Sequence, residues 1–341
     1  MQTTIDRSNN FDFLRLLFAS LVIISHSFPL TGQKEIFDIV TNSQLTLGSL
    51  SVDCFFIMSG YLIMMSLQRS KSPYEYLWKR LLRLYPAYII LLIITMLLLP
   101  LVYEGKNILE ESTYLSYLPN ALSLYKIQYQ VAGVFENNPY PRAINGSLWS
   151  LCYEFTMYLA LLSLFPLRKH KYLKFIVLFI FFTSFILFTS ETYLLGNTMK
   201  KIFLQPTEFY KLCTYFMAGA SLVFFNIRKI NSLTTRFILF ALLIGSLYFN
   251  IYRWLGPILL PFFILLAGIH KSKVIGDTGK VLGDISYGVY IYGFLIQQTL
   301  IYYFGLQTFS LMIISIIITY IIAFASWHLI EKTSLKYKNI F

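Results

Sequence analysis

One histidine lies within an apolar run that is nearly long enough by itself to cross a bilayer. His26 sits in LLFASLVIISHSFPL, residues 16–30, which begins one position after Arg15, with Asp12 three positions earlier. An ionisable side chain in such a segment costs free energy, so it marks a site by default. Its spacing from Arg15 adds to the case. At 100° per residue the eleven positions make three turns plus about 20°, so both side chains leave one face of a helix, roughly 16 Å apart along its axis. A carboxylate bound to one imidazole nitrogen leaves the other able to take a proton from a hydroxyl. Against this stands a plain interfacial reading, with Arg15 snorkelling and paired to Asp12 while His26 ends the segment as a polar residue.

The elements that position these residues are membrane helices. The chain has 341 residues, of which 57% are hydrophobic and 18% aromatic. Apolar stretches of spanning length run from end to end, which makes it an all-α integral membrane protein with a single transmembrane domain, residues 1–341. The expected spans number about ten: 11–30, 46–66, 84–103, 147–166, 172–190, 208–226, 235–251, 255–269, 285–304 and 309–330. No C-terminal soluble domain is expected. The net charge of +12 does not indicate nucleic acid, because Lys and Arg fall in short clusters between apolar runs. Alternate segments hold Arg7, then Arg69, Lys71, Lys79, Arg80 and Arg83, then Arg168, Lys169, Lys171 and Lys174, then Arg228, Lys229 and Arg236, then Lys271, Lys273 and Lys280, and finally Lys332, Lys336 and Lys338. The opposite segments hold only Lys34, Lys106, Lys126, Arg142, Lys200, Lys201 and Arg253. The positive-inside bias therefore predicts both termini in the cytoplasm. The first span reads as an uncleaved anchor, since no clear small-residue cleavage site follows Leu30. Cys54, Cys152 and Cys213 form no CxxC pair and read as packing residues.

On this topology His26, Asp53 and Glu154, from three spans, are expected at similar depth in the outer half of the membrane. Either carboxylate could orient the ring; alternatively, both are hydrogen-bonding glue between helices. At the cytoplasmic side Arg80 and Arg83 stand one turn apart and suit phosphate oxygens, although arginines flanking a span also serve topology alone. The outer segment from Glu104 to Asn145 carries Tyr114, Tyr117, Tyr125, Tyr129, Phe135 and Tyr140, a candidate carbohydrate face or an interfacial aromatic belt. His170, His270 and His328 have no ligand-spaced partners, so no metal is implied.

Several short motifs, in order along the chain, resemble the membrane-bound acyltransferase family 3, the O-acyltransferases of bacterial surface polysaccharides. They are Arg15 and His26, VDCFFIMSGYL at 52–62, RLLRLYPAY at 80–88, NGSLWSLCYEF at 145–155, GDISYGVYIY at 283–292 and HLIEKTSLK at 328–336. The resemblance covers Phe11 to about Lys336. It implies a catalytic role for His26 and an essential role for Arg15, which is expected with Arg80 and Arg83 on the acyl-CoA-binding side. Trp149, Tyr153, Ser286, Tyr287 and Tyr292 are the candidate acceptor-facing or supporting residues. Many relatives carry a histidine after the SYGVYL-like stretch; here Gly293 follows Tyr292.

The expected function is transfer of an acyl group, with acetyl as the family's commonest, from cytoplasmic acyl-CoA to a hydroxyl of an exported polysaccharide or lipid-linked glycan at the bacterial cytoplasmic membrane. His26 is the general base, a covalent acyl-histidine being the less favoured variant. The expected partners are acyl-CoA as donor substrate, the glycan acceptor and membrane lipids, with no bound cofactor and no nucleic acid. A polysaccharide transporter or flippase would also carry intramembrane charges, but no internal repeat is found. A glycan polymerase or ligase would not consume a thioester.

Overall fold

Signals that start and stop helices set the element boundaries in this computed structural model, which describes residues 9–270, 272, 275–338 and 340. Arg7, Lys271 and Lys273, counted in the charge bias above, lie outside the described residues. The long helices are α1 (Phe11–Leu30), α2 (Leu47–Arg69), α3 (Pro73–Leu98), α4 (Ser112–Leu122), α5 (Trp149–Ser163), α6 (Leu173–Thr189), α7 (Pro206–Ser221), α8 (Leu233–Tyr248), α9 (Tyr252–Ile269), α10 (Ser286–Phe304) and α11 (Thr308–Ser326). Among the described residues the only β pairings are two isolated bridges, so the protein is all-α. Among the described residues five helical stretches are long and apolar enough to cross a membrane: Phe11–Leu30, Leu47–Arg69, Pro73–Val102, Tyr252–Ile269 and Thr308–Tyr337. Leu173–Thr189 and Leu233–Tyr248 are shorter apolar helices.

The third expected span needs correction. Apolarity alone placed its start at residue 84, but α3 begins at Pro73, where Ser72 Oγ accepts from the Glu75 backbone N–H and proline occupies the first turn. Arg80 and Arg83 therefore lie within the helix, two to three turns from its start, rather than at its entrance.

Helix α2 is central to the bundle, packing on α1 and most extensively on α7. Its approach to α7 is set by two glycines. A Cβ on Gly60 would collide with the Phe216 carbonyl, and one on Gly219 with the Ile57 carbonyl. Small residues at a helix crossing let backbones meet in this way. Helix α1 is held against α10 by Gln297, whose Nε2 donates to Ile23 O and to Ser27 Oγ, each at 2.8 Å. The long segment between α3 and α5 is clamped to the same helix. Asn138 Nδ2 donates to Gln298 O and Oε1 at 3.0 Å, and Gln298 Nε2 donates to Tyr140 O and Ala143 O at 2.8 Å.

The aromatic face expected on that segment is only partly present. Tyr114, Tyr117 and Phe135 are buried, packed into the core beneath the loop. Tyr114 OH bonds Met96 O at 3.1 Å, so the ring secures α4 to α3. Tyr129 and Tyr140 are exposed. A long ordered loop needs a core of its own, and most of these rings supply it.

Candidate functional site

Two cavities lie along one face of α1. The first, about 340 Å³, is near the helix's N-terminal half and is lined by Arg15, Lys79, Arg80, Arg83, Glu154, Tyr158 and Asp284, with Ser59, Ser150, Ser286, Tyr287, Lys338 and apolar residues between them. The second, about 450 Å³, is near its C-terminal end and is lined by Ser25, His26, Pro29, Gln33, Lys34, Glu35, Asp38, Thr46, Ser49 and Trp149. Val52 and Tyr290 line both. The common-face reading of Arg15 and His26 thus holds, each opening on one of two adjoining spaces.

The charge in the first cavity is organised around Asp284, the acidic residue of GDISYGVYIY. Asp284 Oδ2 accepts from Arg83 at 2.5 Å and from Arg15 at 3.3 Å, while its Oδ1 accepts from Ser286 Oγ at 2.7 Å. Gly283, at φ +79°, makes the left-handed turn that brings Asp284 under the start of α10. Burial by itself would raise the Asp284 carboxyl; the two guanidiniums outweigh it and hold it below its ordinary value. Arg80 is differently placed. Its Nε is buried with no hydrogen-bond partner. Of the pair expected to grip phosphate, Arg83 is thus engaged inside the protein and Arg80 faces the cavity without a carboxylate. Asp284→Asn should leave Arg83 without its carboxylate and Arg15 with only Asp12, 3.9 Å away. Removing the shared carboxylate of a partly buried cluster should cost about 1 to 3 kcal/mol, between the values for exposed and fully buried pairs, so the purified protein should lose a few degrees in thermal midpoint, read by intrinsic fluorescence in detergent. An unshifted midpoint would show that the cluster carries no stability.

In the second cavity His26 packs edge-on against Phe294, with ring centroids 5.2 Å apart, and its Nδ1 is buried without a hydrogen-bond partner. Phe294 also fills the space beside Gly146, where a Cβ would sit 2.7 Å from the ring. The NGSLW segment is fixed here because Asn145 Nδ2 donates to Ile291 O at 2.7 Å and its Oδ1 accepts from Ser147 N at 3.1 Å. Trp149 follows at the start of α5 and faces the cavity.

The expected grouping of His26 with Asp53 and Glu154 does not form. Asp53, fully buried on α2, pairs with Lys211 Nζ of α7 at 3.0 Å. Helical rotation explains this, since Val52 faces the shared wall and its neighbour is turned about 100° away. Glu154 lies in the first cavity, accepting from Ser59 Oγ at 3.0 Å and from Tyr158 OH. It is five residues past Trp149, roughly 7.5 Å further along α5 and turned away from the histidine. The carboxylates that share the His26 cavity are Glu35 and Asp38, both from the connection between α1 and α2, and Glu35 is the one bonded to the helices. It accepts from Ser25 Oγ at 2.5 Å and from Leu47 N at 2.6 Å, tying that connection to both helices. Glu35 carried no sequence signal beyond its charge. Lys211 did carry one, as a lone cation in an apolar helix that required an acidic partner.

The remaining candidates are supports. Tyr153 OH accepts from Gln205 N at 2.9 Å and its ring packs on Trp149. Tyr287 OH donates to Leu84 O at 2.9 Å, joining α10 to α3 beside the first cavity. Tyr292 OH lies 3.2 Å from Ser326 Oγ and lines neither cavity.

A family model described as an acyltransferase domain matches residues 8–328. An O-acetyl transferase of Shigella phage Sf6 is 29% identical, with 96% of each chain covered. Nodulation protein 10 of Rhizobium leguminosarum bv. viciae is 25% identical, with 97% of this chain and 94% of that protein covered. No solved structure matches.

Proposed function

This chain belongs to the acyltransferase family and is an acyltransferase, and on that premise we propose that it moves an acetyl group from cytoplasmic acetyl-CoA to a hydroxyl of an exported bacterial glycan, with His26 as general base. In this reading the protein sits in the bacterial cytoplasmic membrane with about ten helices across it and both termini inside. One observation carries the proposal. A cation-lined cavity and a histidine-bearing cavity adjoin at Val52 and Tyr290, as a donor and an acceptor that approach from opposite sides would require.

Arg80 and its neighbours Lys79 and Lys338 hold the nucleotide phosphates, with Arg80 supplying the planar fork. The thin pantetheine arm runs towards Val52 and Tyr290. The acceptor hydroxyl enters beside Trp149 and Glu35 and gives its proton to Nε2 of His26 as its oxygen attacks the thioester carbonyl. The ester C–O bond forms, the C–S bond breaks, and the proton passes to the departing thiolate, leaving free CoA and neutral histidine. Asp53 is assigned to helix pairing through Lys211, and Glu154 to shaping the donor cavity through Ser59 and Tyr158. A flippase or glycan polymerase would not need a thioester.

The test uses membranes containing the protein, labelled acetyl-CoA and surface glycan. Label should enter the glycan as thiol is released, and Arg80→Lys should raise the KM for acetyl-CoA about tenfold while kcat changes little, because the point charge stays and the fork is lost. Absence of both thiol release and labelled glycan with the unaltered protein would overturn the assignment.

A further inference from the structure

Resting on the acyl-transfer reading above, we propose that Val52 and Tyr290 are specificity-determining residues that set which acyl groups this enzyme can use. They are the two side chains common to both cavities, so they form the wall the acyl group must reach past to meet His26. The two contribute differently. Tyr290 is tied from two sides, with its hydroxyl 2.6 Å from Ser150 Oγ and its ring edge-on to Phe55 at 5.7 Å. It is a fixed side of the opening. Val52 is 5% exposed and has no polar tether, so its size defines the other side. A β-branched side chain holds essentially one rotamer in a helix, which leaves it little room to swing aside. On α2 it is turned away from the Asp53 and Lys211 pair, so changing its volume leaves that helix contact in place. An opening framed by a locked aromatic ring and a stiff aliphatic group admits a short acyl chain and excludes longer ones by size. Around such an apolar constriction each added methylene changes the relative rate by about 10-fold or more.

The test is competition between acetyl-, propionyl- and butyryl-CoA for one glycan acceptor, scored by mass spectrometry of the ester products. A ratio of products is independent of how much active protein each variant yields. Val52→Ala should raise the butyryl-to-acetyl ratio about tenfold, and Val52→Leu should lower the propionyl-to-acetyl ratio by a similar factor. Tyr290→Phe, which keeps the ring and loses the Ser150 bond, should shift the butyryl-to-acetyl ratio upward by less than Val52→Ala does. If the unaltered protein transfers acetyl while both Val52 variants leave the ratios within about twofold, this assignment fails and the acyl-transfer reading stands. If the unaltered protein transfers from none of the three thioesters, the acyl-transfer reading itself fails.

Discussion

His26→Ala should lower glycan acylation by about a thousandfold, the middle of the range for loss of a positioned general base. The structure separates this effect from a folding defect. The imidazole makes one aromatic edge contact with Phe294 and leaves Nδ1 without a partner, so α1 gains no hydrogen bond from it. Gln297 continues to hold the helix through Ile23 and Ser27. Protein level and thermal midpoint should therefore stay near those of the unaltered chain. Donor binding is the second control. Lys79, Arg80 and Lys338, assigned to the donor phosphates, lie in the other cavity, so affinity for acetyl-CoA should be retained while transfer is lost. Transfer above a few per cent by a well-folded variant would remove His26 from the chemistry.

The sequence made the histidine legible because a titratable group in an apolar run stands out against its neighbours whatever the tertiary structure. The same logic exposed Arg15 and Asp53. It could not say which residue each would meet, because a partner depends on the rotation of a second helix as well as on depth. Asp53 and Val52 are adjacent in sequence, yet one meets Lys211 and the other lines both cavities. Depth alone put Asp53 and Glu154 beside the histidine; rotation separated all three. Asp284 was hidden for another reason. It stands in a turn one residue before an expected span, where a charge looks like an ordinary helix end, and only the fold shows two arginines converging on it. Helix existence was legible from apolarity, as the correspondence of α1 and α10 with residues 11–30 and 285–304 illustrates. The start of α3 was not, because its first turns are polar and are marked by Ser72 and Pro73 instead.

Inserting one alanine after Ala19 should abolish transfer while leaving the protein in the membrane. The insertion lengthens α1 by about 1.5 Å and turns everything beyond it by about 100° relative to everything before it. The two halves of α1 are anchored independently. Before the insertion, Arg15 is bound to Asp284 at 3.3 Å and Asn10 Nδ2 donates to Ala267 O at 3.1 Å. After it, Gln297 grips Ile23 and Ser27. Neither anchor can follow the other, so either Arg15 leaves the cation cluster or His26 turns away from the wall formed by Val52 and Tyr290. Displacement of a reacting group by as little as 1 Å can cost about 100-fold, and this change is larger. The helix stays apolar and long enough to insert. Leu21→Ala keeps the register and removes only a partly buried side chain, so its activity should remain within about threefold of the unaltered protein. If the insertion variant acylates as well as Leu21→Ala does, Arg15 and His26 need not share a face, and the donor must reach the histidine by a route other than along α1.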